Sequence, residues 1–157
     1  MLILMCVMQS AVLAQDSLTI VSYNVENLFD CEHDTLKNDS SFLPHGLHHW
    51  NYHHYQTKLN RIAQVIVNIS GWESAALVGL CEVENKRCLR DLCYRLRRFH
   101  YQYVHYESDD ERGIDVALLY DSTKVKILNS KTLCVPLEND VTRDILYVKA
   151  LIDGKDT

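Results

Sequence analysis

The sequence has no apolar run of the roughly 20 residues that a transmembrane helix needs, so stable membrane insertion is not expected. It has no excess of basic charge either. Against 21 Asp and Glu stand 16 Lys and Arg, a net charge of -5; that balance argues against an overall electrostatic grip on nucleic acid or anionic lipid, although a local basic groove remains compatible with it. No internal repeat and no low-complexity linker interrupt the chain. Its cysteines form no metal pattern, since Cys88 and Cys93 are separated by a spacing that matches no zinc motif. No feature implies a protein partner. What remains is 157 residues, 47% hydrophobic and 24% charged, the balance of one soluble globular core.

The opening stretch "MLILMCVMQSAVLAQDS" carries no charge before Asp16 and ends its apolar part in the small-residue pattern Val12-Leu13-Ala14. It reads as a signal peptide over residues 1–14, followed by a domain over 16–157, which implies export to the periplasm or beyond. Cys6 lacks the small residue that precedes a lipidated cysteine. Cleavage would leave Cys31, Cys81, Cys88, Cys93 and Cys134, an odd set that implies no disulfide framework. Cys81 and Cys93 read as small core residues.

Periodicity organises the rest. A strand is expected over 18–25, a polar histidine-containing loop over 31–49, and a helix over 50–69 with Tyr55, Leu59, Ile62, Ala63, Ile66 and Ile69 on its apolar face. Ser70-Gly71 ends that helix. The run "AALVGLCEV" reads as a second strand, and residues 86–98 as a helix burying Leu89, Leu92, Cys93 and Leu96. Strand-like runs follow at 101–106, 114–120, 125–135 and 145–152, separated by turn signals such as "SDDERG" and "DSTK". Alternating strand and helix giving way to successive strands implies a mixed sheet with helices packed on one face, an α/β fold. Asp153-Gly154 is a hairpin signal with three residues after it, so the chain reads as the first part of a longer domain.

Two strand ends carry unexpected polar groups. In "LTIVSYNVENLF", alternation sets Asn24 and Glu26 on one face, about 6.6 Å apart at roughly 3.3 Å per residue. A turn-capping asparagine and a solvated glutamate are the ordinary alternative. In "ALVGLCEVEN", Glu82 stands inside an otherwise apolar run, where an ionised carboxylate is costly unless paired or coordinated. Two such strand ends would suit magnesium, which takes oxygen ligands, keeps several waters and often shares them with a substrate phosphate.

The segments "SYNVENLF", "LVGLCEVEN" and "RGIDVALLYD", in this order, resemble the endonuclease/exonuclease/phosphatase family, which includes deoxyribonuclease I, apurinic endonucleases, sphingomyelinases and inositol phosphatases. The segment "FLPHGLHHWNYHHYQTKLNRIAQVI" is similar to the first-helix region of exported bacterial members. The resemblance covers about residues 18–154. It implies the first half of a four-layer α/β/β/α sandwich of the deoxyribonuclease I-like type. It also implies a phosphodiester or phosphomonoester substrate, nucleic acid among the candidates, and Mg2+ as cofactor with Mn2+ or Ca2+ as alternatives.

Carried over residue by residue, Asn24 resembles the asparagine that positions the scissile phosphate, Glu26 a nearby acidic active-site position, and Glu82 the magnesium-binding glutamate. Arg112 and Asp115 match polar positions on the rim of the phosphate site, and a carboxylate closing a turn is the alternative for Asp115. Arg143 would meet a phosphate oxygen as a fork donor, with an edge-strand arginine facing water as its alternative. The family's Asp-x-Asn motif does not occur after residue 121, and no histidine follows His105. The chain alone is therefore expected to be inactive. A binding or interaction module that keeps the fold without the chemistry is the competing class.

Two other clusters compete for function. His49 and His53 have an i, i+4 spacing that could clasp zinc, but no Glu lies between them in the His-Glu-x-x-His pattern, and a solvated loop over His45–His54 is the simpler reading. Lys86, Arg87, Arg90, Arg95, Arg97 and Arg98 could track a nucleic-acid backbone or simply form a solvated helix face.

Overall fold

A computed structural model describes residues 18–135 and 142–152, and the backbone of 155–156. The stretch read as a signal peptide lies outside the described residues. Elements follow in the order β1 (Ile20–Leu28), a single 3-10 turn (Ser40–Phe42), α1 (Tyr52–Ser70), β2 (Leu77–Val83), α2 (Lys86–Arg95), β3 (Tyr101–His105), β4 (Asp115–Asp121), β5 (Val125–Leu133), β6 (Ile145–Ile152) and β7 (Lys155–Asp156).

The strands form two sheets. One has the order β1-β2-β4-β3, with β1 and β2 parallel and the other pairs antiparallel; the second is an antiparallel β5-β6-β7. The expected mixed sheet is therefore the four-stranded one, and the last strands build a separate layer because β5 pairs along its length with β6. Strands β6 and β7 pair antiparallel at Leu151↔Asp156 and Ile152↔Lys155; the turn expected at Asp153-Gly154 lies outside the described residues.

Helix formation follows local chemistry. Asn51 caps α1, its side chain accepting from the His54 N–H at 3.1 Å, and Asn85 caps α2 by accepting from Cys88 N–H at 3.0 Å. Gly71 closes α1 at φ 70°, with its N–H on the Val67 carbonyl at 2.9 Å.

The core lies between the two helices and one face of the four-stranded sheet. Leu59, Ile62 and Ile66 of α1 and Leu89 and Leu92 of α2 meet Val21, Val25, Val78, Leu80 and Leu119. Tyr55 donates to Asp91 Oδ2 at 2.8 Å and ties the helices together. Two expectations fail. Ile69 is 56% exposed, because the apolar stripe leaves the sheet in the last turn of α1. Cys81 is only half-buried, on the sheet face away from the helices, whereas Cys88 is the fully buried thiol and Cys93 is half-buried against the core.

The polar loop between β1 and α1 is docked. Lys37 Nζ donates to the carbonyls of Ser108 (2.7 Å) and Asp110 (2.9 Å), and Phe29 stacks on Phe42 with centroids 4.2 Å apart. The Trp50 indole donates to the Phe29 carbonyl at 2.9 Å. On the second sheet, Leu128, Leu133, Ile145 and Tyr147 stay exposed.

Leu59→Ala should lower the free energy of unfolding by about 2–5 kcal/mol through cavity formation, while Ile69→Ala should change it by about 0.5 kcal/mol or less. Denaturant unfolding of both variants checks this.

Candidate active site at the ends of β1 and β2

Strands β1 and β2 run in parallel register from Ile20↔Leu77 to Asn24↔Cys81, then both become irregular before Leu28↔Val83. The cause is backbone conformation. Glu26 (φ 56°), Asn27 (φ 61°) and Glu82 (φ 69°) occupy the left-handed region that non-glycine residues rarely adopt. Such residues persist only where surrounding contacts hold them, and bulges of this kind re-aim side chains.

Here the contacts are visible. Asn24 Nδ2 donates to Glu82 Oε1 at 3.2 Å, and Asn27 N–H donates to Glu82 Oε2 at 3.0 Å. Asn24 Oδ1 accepts from Glu26 N–H at 2.9 Å. One end of the Asn24 amide thus closes the turn, and the other holds the Glu82 carboxylate.

Arg143, from the segment entering β6, brings Nη1 to 3.6 Å from Glu82 Oε1. Glu82 keeps 16% of its side chain exposed, enough to meet solvent or a ligand. Sequence reasoning missed Lys58. Its ammonium reaches over from α1, donates to the carbonyls of Glu26 and Asn27, and sits 5.5 Å from the Trp50 ring centre. Burial lowers the Lys58 pKa, and the charges of Glu26 and Glu82 oppose that shift. Only its place three residues after Tyr55 and four before Ile62, both core positions, could have marked Lys58 as flanking the strand end. Beside it, Tyr23, Glu26, Trp50, His53, His54 and Arg61 line a cavity of about 520 Å³.

The other predicted residues go elsewhere. Asp115 is 2% exposed and shares its face with Ala117 and Leu119, the helix side of the sheet, while Asn24 and Cys81 lie on the other side. It accepts from Ser108 N–H at 3.0 Å and from the Ser108 hydroxyl, so it closes the loop before β4. Arg112 pairs with Asp110 at 3.5 Å and borders a separate cavity of about 290 Å³. Expected on the rim of the phosphate site, neither residue joins the Asn24–Glu82 group. His49 precedes α1, whose cap is Asn51, so the His49–His53 spacing is not helical and the pair does not face one way. On α2, Arg87 is committed to Asp30 and Glu32, and Arg97, just past the end of the helix, lies over the Tyr94 ring.

A family model describing the Endonuclease/Exonuclease/phosphatase family matches residues 19–157. The chain belongs to that family. Solved structures of endonuclease/exonuclease/phosphatase family proteins from Bacteroides vulgatus and Bacteroides thetaiotaomicron are similar to it. The first is 20% identical with a TM-score of 0.45, covering 72% of this chain and 34% of its own. The second is 21% identical with a TM-score of 0.47, covering 73% and 35%. A mannosyl-6-phosphatase from Bacteroides thetaiotaomicron is 21% identical with a TM-score of 0.49, covering 74% and 36%. The chain spans about a third of the length of these solved structures. No curated protein matches the sequence. The endonuclease/exonuclease/phosphatase family comprises phosphatases and nucleases, hydrolases of phosphate esters, and its deoxyribonuclease I-like class is the one expected from the sequence.

Behind the site lies a buried carboxyl group that the sequence reading also missed. Glu84 accepts from Asp30 N–H at 2.6 Å, and burial, reinforced by the charges of Asp30, Asp39 and Asp34, pushes its pKa up to about 8. Alternation gave no signal, because it would set Glu84 on the face of Glu82, and the left-handed backbone at Glu82 breaks that pattern.

Because the folded-state pKa of Glu84 lies above the unfolded one, the native state holds the extra proton between roughly pH 4.5 and 8. Stability should therefore fall as pH rises across that window, by at most about 1.4 kcal/mol per pH unit from this group. Glu84→Gln should flatten that slope. Urea unfolding at pH 5, 7 and 9 measures it, and an unchanged slope in the variant would refute the assignment.

Proposed function

We propose that these residues form the phosphate-binding and metal-ligating part of a magnesium-dependent phosphoesterase. The observation that carries this reading is the Glu82 carboxylate, turned out of an apolar strand by a left-handed residue and held by Asn24 and Asn27 with Arg143 facing it.

The donor set suits a hard cation. An ionised carboxylate offers about four acceptor directions, and here two are taken by N–H donors while the guanidinium faces the same group from one side. Those partners are N–H donors and ligate no metal, so the carboxylate oxygen directions they leave open are the ones a cation would take. Magnesium, bound through one or two carboxylates with its remaining positions left to water and phosphate, fits that set. Glu82 would hold the ion, with Glu26 on the adjacent strand end as the second carboxylate. A magnesium ion bound there supplies neutralisation of charge on the phosphoryl oxygens.

The chain's own groups do the rest of the binding. Arg143 presents a planar fork to a phosphate oxygen, and Lys58 places its amine beside the same strand end. Asn24 holds the carboxylate in orientation. The neighbouring cavity, with Trp50, His53, His54 and Arg61 around it, offers an aromatic and cationic surface to the part of the substrate beyond the phosphate. The substrate class is a phosphate ester, either a diester or a monoester. Turnover is proposed for the complete protein and not for these 157 residues alone, and export through residues 1–14 rests on the sequence.

In the complete protein, Glu82→Gln should lower magnesium-supported hydrolysis of a generic phosphodiester or phosphomonoester on the order of 100-fold. The circular dichroism spectrum should not change, because the amide keeps the shape and loses the charge. A near-normal rate would remove Glu82 from the site. Lys58→Ala should lower both the rate and the melting temperature, since it frees the Glu26 and Asn27 carbonyls.

A further inference from the structure

On the helix side of the four-stranded sheet lies a group of ligating side chains that the Glu82 site does not use. His105 ends β3 directly opposite Ala117 of β4, and Asp115 precedes that alanine by two residues, so the imidazole and the carboxylate share a face. Glu107 follows His105 by two. One donor atom from each of His105, Glu107 and Asp115 lies within 4.8 Å of the others.

Their surroundings leave this group short of partners. The His105 side chain is fully buried, and that of Asp115 is 2% exposed, yet neither imidazole nitrogen nor Asp115 Oδ2 makes a hydrogen bond. His105 Nε2 stands 3.5 Å from Asp115 Oδ2, and Nδ1 stands 3.8 Å from Glu107 Oε1. Both separations are ion-pair contacts longer than a good hydrogen bond, so the carboxylates face the ring electrostatically and leave these atoms without a hydrogen bond. Asp115 Oδ1 is already occupied by the Ser108 N–H and hydroxyl, which orients the carboxylate as the outer contacts of a metal ligand do. Buried polar atoms without partners call for an explanation, and an ion is one.

We propose that His105, Glu107 and Asp115 bind a divalent transition-metal ion of the zinc or manganese class, at a site separate from Glu82. One imidazole and two carboxylates form a borderline donor set, better suited to such ions than to magnesium, which favours oxygen ligands alone. Glu107 is 57% exposed and borders the cavity of about 290 Å³ that Ser108 and Arg112 also line, so an ion has a route in from solvent. Three protein ligands leave a position for water. Bound there, the ion clasps the 107–113 loop to the ends of β3 and β4, the same loop whose Ser108 and Asp110 carbonyls Lys37 holds.

The test uses the full chain, stripped with chelator, titrated with Zn2+ alone in a calorimeter, and assayed for retained zinc after gel filtration. The wild type and Glu82→Gln should each hold one zinc ion per chain, and Glu107→Gln should bind it roughly tenfold or more weakly. His105→Asn should lose it, but replacing a buried ring endangers the fold, so the decision rests on exposed Glu107. Unchanged circular dichroism and melting temperature of its zinc-free form establish that its fold is kept. Equal zinc affinity in the wild type and Glu107→Gln overturns the proposal. So does a wild type that retains no zinc, or zinc binding that disappears in Glu82→Gln and persists in Glu107→Gln. Failure of this site leaves the magnesium reading of Glu82 standing, because that reading is tested by hydrolysis.

Discussion

The bond from the Asn24 amide to the Glu82 carboxylate couples the ends of two parallel strands, and the geometry of the candidate site follows from it. A carboxylate at the end of an apolar strand has to find donors or leave the sheet. Glu82 finds them on β1, one from a side chain and one from the Asn27 backbone, and both strands break register to allow it. The left-handed residues 26, 27 and 82 are the backbone's accommodation of that pairing. Lys58 completes it from the helix, holding the carbonyls of Glu26 and Asn27 that the bulge turns toward α1.

The Asn24–Glu82 group and the packed core occupy opposite faces of one sheet. The helix side of β1, β2 and β4 is filled by aliphatic side chains from α1 and α2, which fix the strands rigidly enough for a bulge to hold its shape. The other side carries Asn24, and Arg143 approaches Glu82 from the segment that enters the second sheet. Asp115 and His105 belong to the packed side, so they form a polar group of their own where β3 ends and β4 begins, with Asp115 in register with Val83 of β2. The same alternation that hides the core thus separates two sets of polar residues, one built on the Glu82 carboxylate and the other containing an imidazole. Their chemistries differ because their neighbours do.

Much of this was legible in the chain. The helix over Tyr52–Ser70 follows from its apolar spacing between an asparagine cap and a glycine stop, and the strand at Leu77–Val83 from an unbroken apolar run. Glu82 was marked by its isolation in that run. Asn24 was legible as a polar residue at a strand end, but alternation alone could not reveal the bulge, because left-handed backbone at Glu26 and Asn27 has no signature in residue type. Lys58 was invisible as a site residue, since a lysine on a helix is ordinarily solvated.

The local pattern of apolar and polar residues by itself determined where the helices and strands form, which residues fill the core and which motifs place the chain in its family, since each depends on neighbours within a few positions. Only the tertiary structure decided which polar residues meet. Asn24 and Glu82 are 58 residues apart and Arg143 is farther still, and their encounter depends on strand order and on a second sheet folding back across the first. Asp115 was assigned to the phosphate site by motif and placed elsewhere by strand register: with a side-chain period of two, its parity relative to Ala117 and Leu119 turns it toward the core, where His105 meets it.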